Sequence, residues 1–223
     1  GYGDLKEFDW QGYKEKYGDI QRLDRILEAE DLDVNQFKAS KQADVLMLFY
    51  LFSSEMLGTL FDHMGYPFDP DFIPRNISYY LDRTSHGSTL SRVVHSWVLG
   101  RSDREEAWKL SKEALHSDID DIQGGTTPEG IHLGAMAGTV DLIQRMHTGL
   151  EMREDVLRFN PLLPKELEGI RLRIRYHGHW LSVHVTHDRL TVKFDRGGSQ
   201  SALIGLCDQV YEMQQGEERV FEL

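Results

Sequence analysis

Three stretches of this chain carry residue types that could do chemistry. The first reads Thr84-Ser85-His86-Gly87-Ser88-Thr89-Leu90-Ser91, a polar turn that feeds straight into an apolar segment. If a helix begins there, its first N–H groups have no partner inside the helix and point outward with partial positive charge. The hydroxyls of Ser88 and Thr89 add donors, Gly87 lets a ligand approach the backbone, and His86 adds a charge-assisted donor. That is the equipment of a phosphate or sulfate site. The same residues also read as an ordinary Ser/Thr N-cap behind a loop, and N-caps are the commoner of the two.

The second stretch is Gly124-Gly125-Thr126-Thr127-Pro128-Glu129-Gly130-Ile131-His132. Thr127 suits the N-cap and Pro128 the first helical position, which puts Glu129 in the first turn. Spacing leaves two readings open. One is a well-capped helix behind a glycine loop. The other is the rim of an active site, with Gly125, Thr126 and Glu129 on it and the glycines giving backbone access. The third stretch is Lys41-Gln42, just ahead of a nearly unbroken apolar run. Ammonium and amide groups suit hydroxyl recognition, though a lysine in that position is commonly a solvated helix end. Asp44, inside the apolar run, needs a hydrogen-bonding partner.

The remaining histidines point elsewhere. His177, His179, His184 and His187 fall in one region, but they lack a Cys partner and a recognised ligand spacing, so no metal is expected. His95, His116 and His147 read as structural or surface residues, and Trp97 and Trp108 as core.

The elements that must position these residues change character near residue 160. Before it the apolar spacing is helical. It predicts helices over 19–29, 42–52, 55–64, 71–81 and 88–99, another starting at Asp103, and one over 130–146. The 42–52 helix is apolar almost all round, so burial on most sides is expected. Gly100 suits the C′ position of its helix, and Asp103 with Glu106 has capping-box spacing. After Asn160-Pro161 the period becomes two. Ile170, Leu172, Ile174 and Tyr176 alternate with arginines, and Leu181, Val183, Val185 and then Leu190, Val192, Phe194 continue the pattern. Three antiparallel strands with one buried face are expected, turning at Gly178 and Asp188, with further strands over 201–206 and 218–223. The domains predicted are thus 1–159, helical, and 160–223, a small antiparallel β-sheet or β-sandwich.

With 223 residues, 40% of them hydrophobic and 28% charged, the chain can bury a sizeable core. No apolar run approaches a membrane span, and no signal core stands at the polar start. A net charge of −12 argues against nucleic acid as a partner but leaves room for a small anion in a locally positive pocket. Cys207 is the single cysteine, so no intrachain disulfide can form, and a cytoplasmic location is expected. The chain does not begin with Met, which leads to the expectation of a fragment or a processed chain.

Taken in order, Lys41-Gln42-Ala43-Asp44-Val45, Thr84-x-His86-x-Ser88-Thr89-Leu90-Ser91 and the segment from Gly125-Thr126-Thr127-x-Glu129-Gly130 to Met136-Ala137-Gly138 resemble the family 65 glycoside hydrolases and phosphorylases. The region from Asn160 to Leu181 resembles the family's small C-terminal sheet. The resemblance implies a mainly α fold: the later half of an (α/α)6 barrel, followed by a small β domain. It implies sugar binding by Lys41 and Gln42, and phosphate binding by His86, Ser88 and Thr89. The implied reaction is inverting phosphorolysis of an α-glucoside of the maltose, trehalose or kojibiose type, giving β-glucose 1-phosphate. Inorganic phosphate is then the co-substrate, with no other cofactor. Family members are much longer, and their general-acid glutamate lies upstream of the lysine–glutamine segment. No catalytic acid is therefore expected within this chain, and the chain alone is expected to be inactive.

Two other functions compete. A family 65 hydrolase, trehalase-like, would use water and need a base carboxylate, for which Glu129 is the acidic candidate within the motifs. A non-catalytic folded pair of domains would bind carbohydrate or anions only weakly. An incomplete barrel would expose apolar helix faces, so a homodimer or self-association is expected, with no membrane partner.

Overall fold

The computed structural model describes residues 2–123, 125, 127–195 and 201–223. Contacts divide the chain into two compact units, Gly1–Thr139 and Val140–Leu223.

Eight α-helices are formed among the described residues: α1 (Trp10–Tyr17), α2 (Leu23–Ala29), α3 (Asp44–Leu51), α4 (Ser54–His63), α5 (Phe72–Leu81), α6 (Thr89–Leu99), α7 (Arg104–His116) and α8 (Leu133–Asp141). Local chemistry sets several of their starts. Ser53 Oγ accepts from Met56 N at 3.3 Å ahead of α4, and Asp103 Oδ1 accepts from Glu106 N at 3.1 Å ahead of α7. Each such cap stabilises its helix by about 1 kcal/mol. α1 was not legible in the sequence: it buries no residue and its start rests on Asp9, which accepts from Gly12 N.

The core of the helical unit lies between α3 and α6. Leu46 and Phe49 of α3 pack with Leu57 of α4 and with Val94 and Val98 of α6. Burying each such side chain fully contributes about 1.5–3 kcal/mol. On its other side α6 meets α7, where Ser96 Oγ donates to Ala107 O at 2.8 Å. On α8, Gly138 faces Val93 so closely that an added Cβ would stand 2.7 Å from Val93 Cγ1.

Four expectations need correction here. α3 is not buried on most sides: Leu48 and Leu51 are exposed, because the helix has only eight residues and packs along one face. Asp44 is not inside the apolar run but at the exposed first turn of α3, where the helix dipole favours a carboxylate. Gly100 follows α6 with right-handed backbone, φ −55°, and is no left-handed stop. The helix expected from 130 begins only at Leu133. Thr127–Glu129 is a 3-10 turn and Gly130 sits at φ +110°, which a right-handed helix cannot include. Beyond α8 the chain widens into a single π-helical turn, Leu142–Met146.

The second unit carries eight strands among the described residues. One sheet has the order β3 (Ile170–Tyr176), β4 (His179–Val185), β5 (Arg189–Phe194) and β8 (Glu218–Glu222), all antiparallel. The other has the order β1 (Glu151–Arg153), β2 (Val156–Phe159), β6 (Ser201–Leu206) and β7 (Gln209–Gln214). Here β2 and β6 pair in parallel, against the expectation of a purely antiparallel arrangement. Leu157, Phe159, Ile204 and Met213 of this sheet share one apolar cluster with Leu181, Val192 and Phe194 of the other, so the two sheets form a sandwich. Strand structure thus begins before the change of period at 160. β1 and β2 turn through Glu154 and Asp155, both with positive φ, a turn that lacks the glycine signal.

Candidate functional site

The Lys41-Gln42 and Thr84–Ser91 stretches lie side by side, stitched through the backbone. Ser40 N donates to Arg83 O at 2.8 Å, Ser85 N to Ser40 O at 2.8 Å, and Gly87 N to Lys41 O at 3.0 Å. Gly87 is there because nothing larger fits. A Cβ would lie 2.4 Å from Gln21 O and 2.9 Å from Lys41 Cγ. Lys41 and Gln42 are exposed, and Gln42 Nε2 donates to Asp44 Oδ1 at 3.0 Å, which supplies the partner that Asp44 needed.

His86 is the most constrained residue of the turn. Its φ is +55°, a conformation that costs a non-glycine residue about 1–2 kcal/mol. Its carbonyl accepts from Arg92 Nη1 at 3.2 Å and from Gln123 Nε2 at 3.4 Å. Arg92 is itself buried and pairs with Glu113 at 3.0 Å. The His86 ring meets the His95 ring edge-on, 4.6 Å between centroids, and its Nδ1 lies 3.0 Å from Ser91 Oγ. Burial, reinforced by His95, Arg92 and Lys14, pushes the His86 pKa down to about 3. Burial thus favours the uncharged ring, whose N–H can still make a charge-assisted hydrogen bond when the acceptor is an anion.

Ser88 occupies the N-cap of α6 with extended backbone, but its hydroxyl makes no capping hydrogen bond. In its place the Ser88 carbonyl accepts from Ser91 N in the first turn of α6, at 3.1 Å. Thr89, the first helical residue, is buried. Between the starts of α3 and α6 lies a small pocket, with Gln42 and Asp44 on one side and Leu90, Ser91 and His95 on the other.

The glycine loop is held by two aspartates. Asp121 Oδ2 accepts from Gly125 N at 2.7 Å, and Asp121 Oδ1 from Thr127 N and Thr127 Oγ1, each at 3.1 Å. Asp118 accepts from His132 N at 2.8 Å. Gly125 takes φ +97°. Thr126 and Gly124 lie outside the described residues, and Glu129 is placed by its backbone alone, in the 3-10 turn. The loop joins the first stretch through Gln123, buried and bonded to His86 O. Arg92, His95, Asp118, Asp121 and Gln123 were not among the residues that sequence reasoning selected for the site. The one available signal was the acidic run Asp118-Ile119-Asp120-Asp121 directly before the glycines.

Residues 1–141 match the glycosyl hydrolase family 65 central catalytic domain, and residues 150–212 match the glycosyl hydrolase family 65 C-terminal domain. The chain belongs to glycosyl hydrolase family 65. Among the relatives of this family 65 chain, an uncharacterized glycosyl hydrolase of Mycobacterium tuberculosis is 50% identical over 200 residues, which is 90% of this chain and 15% of the relative. The trehalose 6-phosphate phosphorylase of Lactococcus lactis is 34% identical over 223 residues, 100% of this chain and 28% of the relative. A solved structure of a protein assigned as a kojibiose phosphorylase, from the human microbiome, superimposes with a TM-score of 0.77 at 24% identity, covering 100% of this chain and 27% of that one. That likeness establishes the fold: helices consistent with part of a helical barrel, followed by a C-terminal β domain. The family 65 chain spans only a minor part, 15% and 28%, of these two relatives.

Proposed function

We propose that this chain supplies the phosphate- and sugar-binding part of an inverting disaccharide phosphorylase that releases β-glucose 1-phosphate from an α-glucoside. The observation that carries the reading is the hydrogen bond from Gly87 N to Lys41 O. It sets the turn of His86, Ser88 and Thr89 beside Lys41 and Gln42, as one site holding both phosphate and sugar requires. In this reading the uncapped start of α6, the Ser88 and Thr89 hydroxyls and the His86 N–H take the phosphate, while Lys41 and Gln42 donate to sugar hydroxyls. Arg92 and Lys14 supply positive potential behind His86.

Phosphate then attacks the anomeric carbon from the face opposite the leaving sugar, and a carboxylic acid protonates the leaving oxygen. We assign that acid to a residue outside this chain, so the chain alone is proposed to be inactive. No protein base is needed, because phosphate is already a nucleophilic anion. Two carboxylates beside the glycine loop, Asp118 and Asp121, serve as acceptors of hydrogen bonds from Gly125, Thr127 and His132, a structural use that needs no role as base. The identity to a trehalose 6-phosphate phosphorylase across all of this chain makes a phosphorylated disaccharide one candidate substrate beside trehalose, maltose and kojibiose.

The test is product analysis on the full-length protein with these disaccharides, with and without inorganic phosphate. Phosphate-dependent release of a sugar 1-phosphate, lost in Ser88→Ala, is the expected result. Free glucose released without phosphate would overturn the reading in favour of a hydrolase.

A further inference from the structure

The buried residues behind His86 determine where its proton sits. His95 is 0% exposed, and its Nδ1 lies 2.8 Å from the carbonyl oxygen of Ser91. A carbonyl only accepts, so His95 carries its proton on Nδ1 and its Nε2 is bare. Consistently, His95 Nε2 is buried with no hydrogen-bond partner among the described residues. A charged His95 would bury a second N–H with nothing to accept it.

The next link follows from donor counting. Ser91 Oγ lies 3.4 Å from the protonated His95 Nδ1, so toward His95 the hydroxyl can only accept. That leaves the single Ser91 proton free for its other neighbour, His86 Nδ1 at 3.0 Å, and the relay takes the hydroxyl as donor there. A nitrogen that accepts from a hydroxyl is bare, which leaves the His86 proton on Nε2. We infer that His95 and Ser91 form a buried tautomer relay that holds His86 as a neutral imidazole with its single N–H on Nε2, directed to an anion in the candidate site. His95 is thereby a positioning residue, acting through Ser91. Positive potential comes from Arg92, Lys14 and the start of α6, and His86 supplies a donor of fixed direction. The tautomer assignment stands on the hydrogen bonds alone; its use in holding an anion rests on the phosphate reading above.

The experiment is long-range proton–nitrogen correlation NMR of the full chain with isotope-labelled histidine, first free and then titrated with inorganic phosphate. His86 is expected to be protonated on Nε2 and bare on Nδ1, and His95 the reverse. Ser91→Ala should let His86 populate both tautomers and weaken phosphate binding about five- to tenfold, the effect of one lost orienting hydrogen bond. His95→Asn keeps a donor toward the Ser91 carbonyl and should preserve the His86 pattern, whereas His95→Phe should not. A wild-type His86 protonated on Nδ1 overturns the relay, as does an unchanged tautomer in a folded Ser91→Ala. If Ser91→Ala does not fold, the wild-type spectrum decides by itself. If phosphate moves no His86 resonance while the tautomers are as assigned, the relay holds and the phosphate reading falls.

Discussion

The backbone N–H of Gly87 donates to the carbonyl of Lys41 at 3.0 Å, and the same glycine leaves no space for a Cβ, which would stand 2.4 Å from Gln21 O. Three separate segments of the chain therefore meet at one α-carbon. Gly87→Ala forces backbone apart rather than a flexible side chain. It should destabilise the chain by about 1–3 kcal/mol. Denaturant unfolding measures this, and an unchanged midpoint would show that the contact yields freely.

Acid should find His86 a weak point. The ring takes a proton near 6.5 when exposed but only near 3 in the folded chain, because burial opposes its charge. Its contribution to stability is therefore full above about 6.5 and drains away as pH falls from 6.5 toward 3. Burial lowers His95 and His147 in the same direction. His86→Gln should show a shallower loss of stability than wild type between those limits, read from denaturant midpoints across pH. Parallel curves would mean that His86 is not held neutral.

Asp121 bridges Gly125 and Thr127 through both carboxylate oxygens. Asp121→Ala leaves those amides to water and should cost about 1–3 kcal/mol. Faster amide exchange at Gly125 and Thr127, with α6 and α7 unaffected, is the expected signature. Exchange unchanged at both amides would mean that the loop holds itself.

Gly138→Ala pushes a methyl against Val93, where the present gap would be 2.7 Å. Overpacking there should cost about 1–3 kcal/mol, more than the gain of up to 1 kcal/mol from better helix propensity. Val93→Ala removes the obstructing methyls, so the double variant should lose less than the two single losses added together. Strict additivity in thermal unfolding would mean that the two residues do not compete for the same space.

Much of this was readable beforehand, for physical reasons that differ by element. β3 to β5 were legible because alternation of Ile174, Val183 and Val192 with polar residues has a period that only a half-buried strand satisfies. The cap of α7 was legible because Asp103 and Glu106 act within one turn. The residues that support His86 were not. Arg92 and His95 sit on the buried side of α6, where a reading by period assigns them to packing, and Gln123 reaches His86 from 37 positions away. β1 and β2 were missed because β2 is held by β6, which lies far along the chain and pairs in parallel, and the three-residue β1 is held by β2.

The place of β2 inside its sheet has a practical consequence for dissecting the protein. β2 is flanked by β1 on one side and β6 on the other. An excised domain beginning at residue 160 would lack β1 and β2, and would present β6 as a raw edge whose N–H and C=O groups recruit other chains. Such a piece should aggregate on a sizing column, while one beginning at Val140 keeps the ladder closed and should elute as a discrete species.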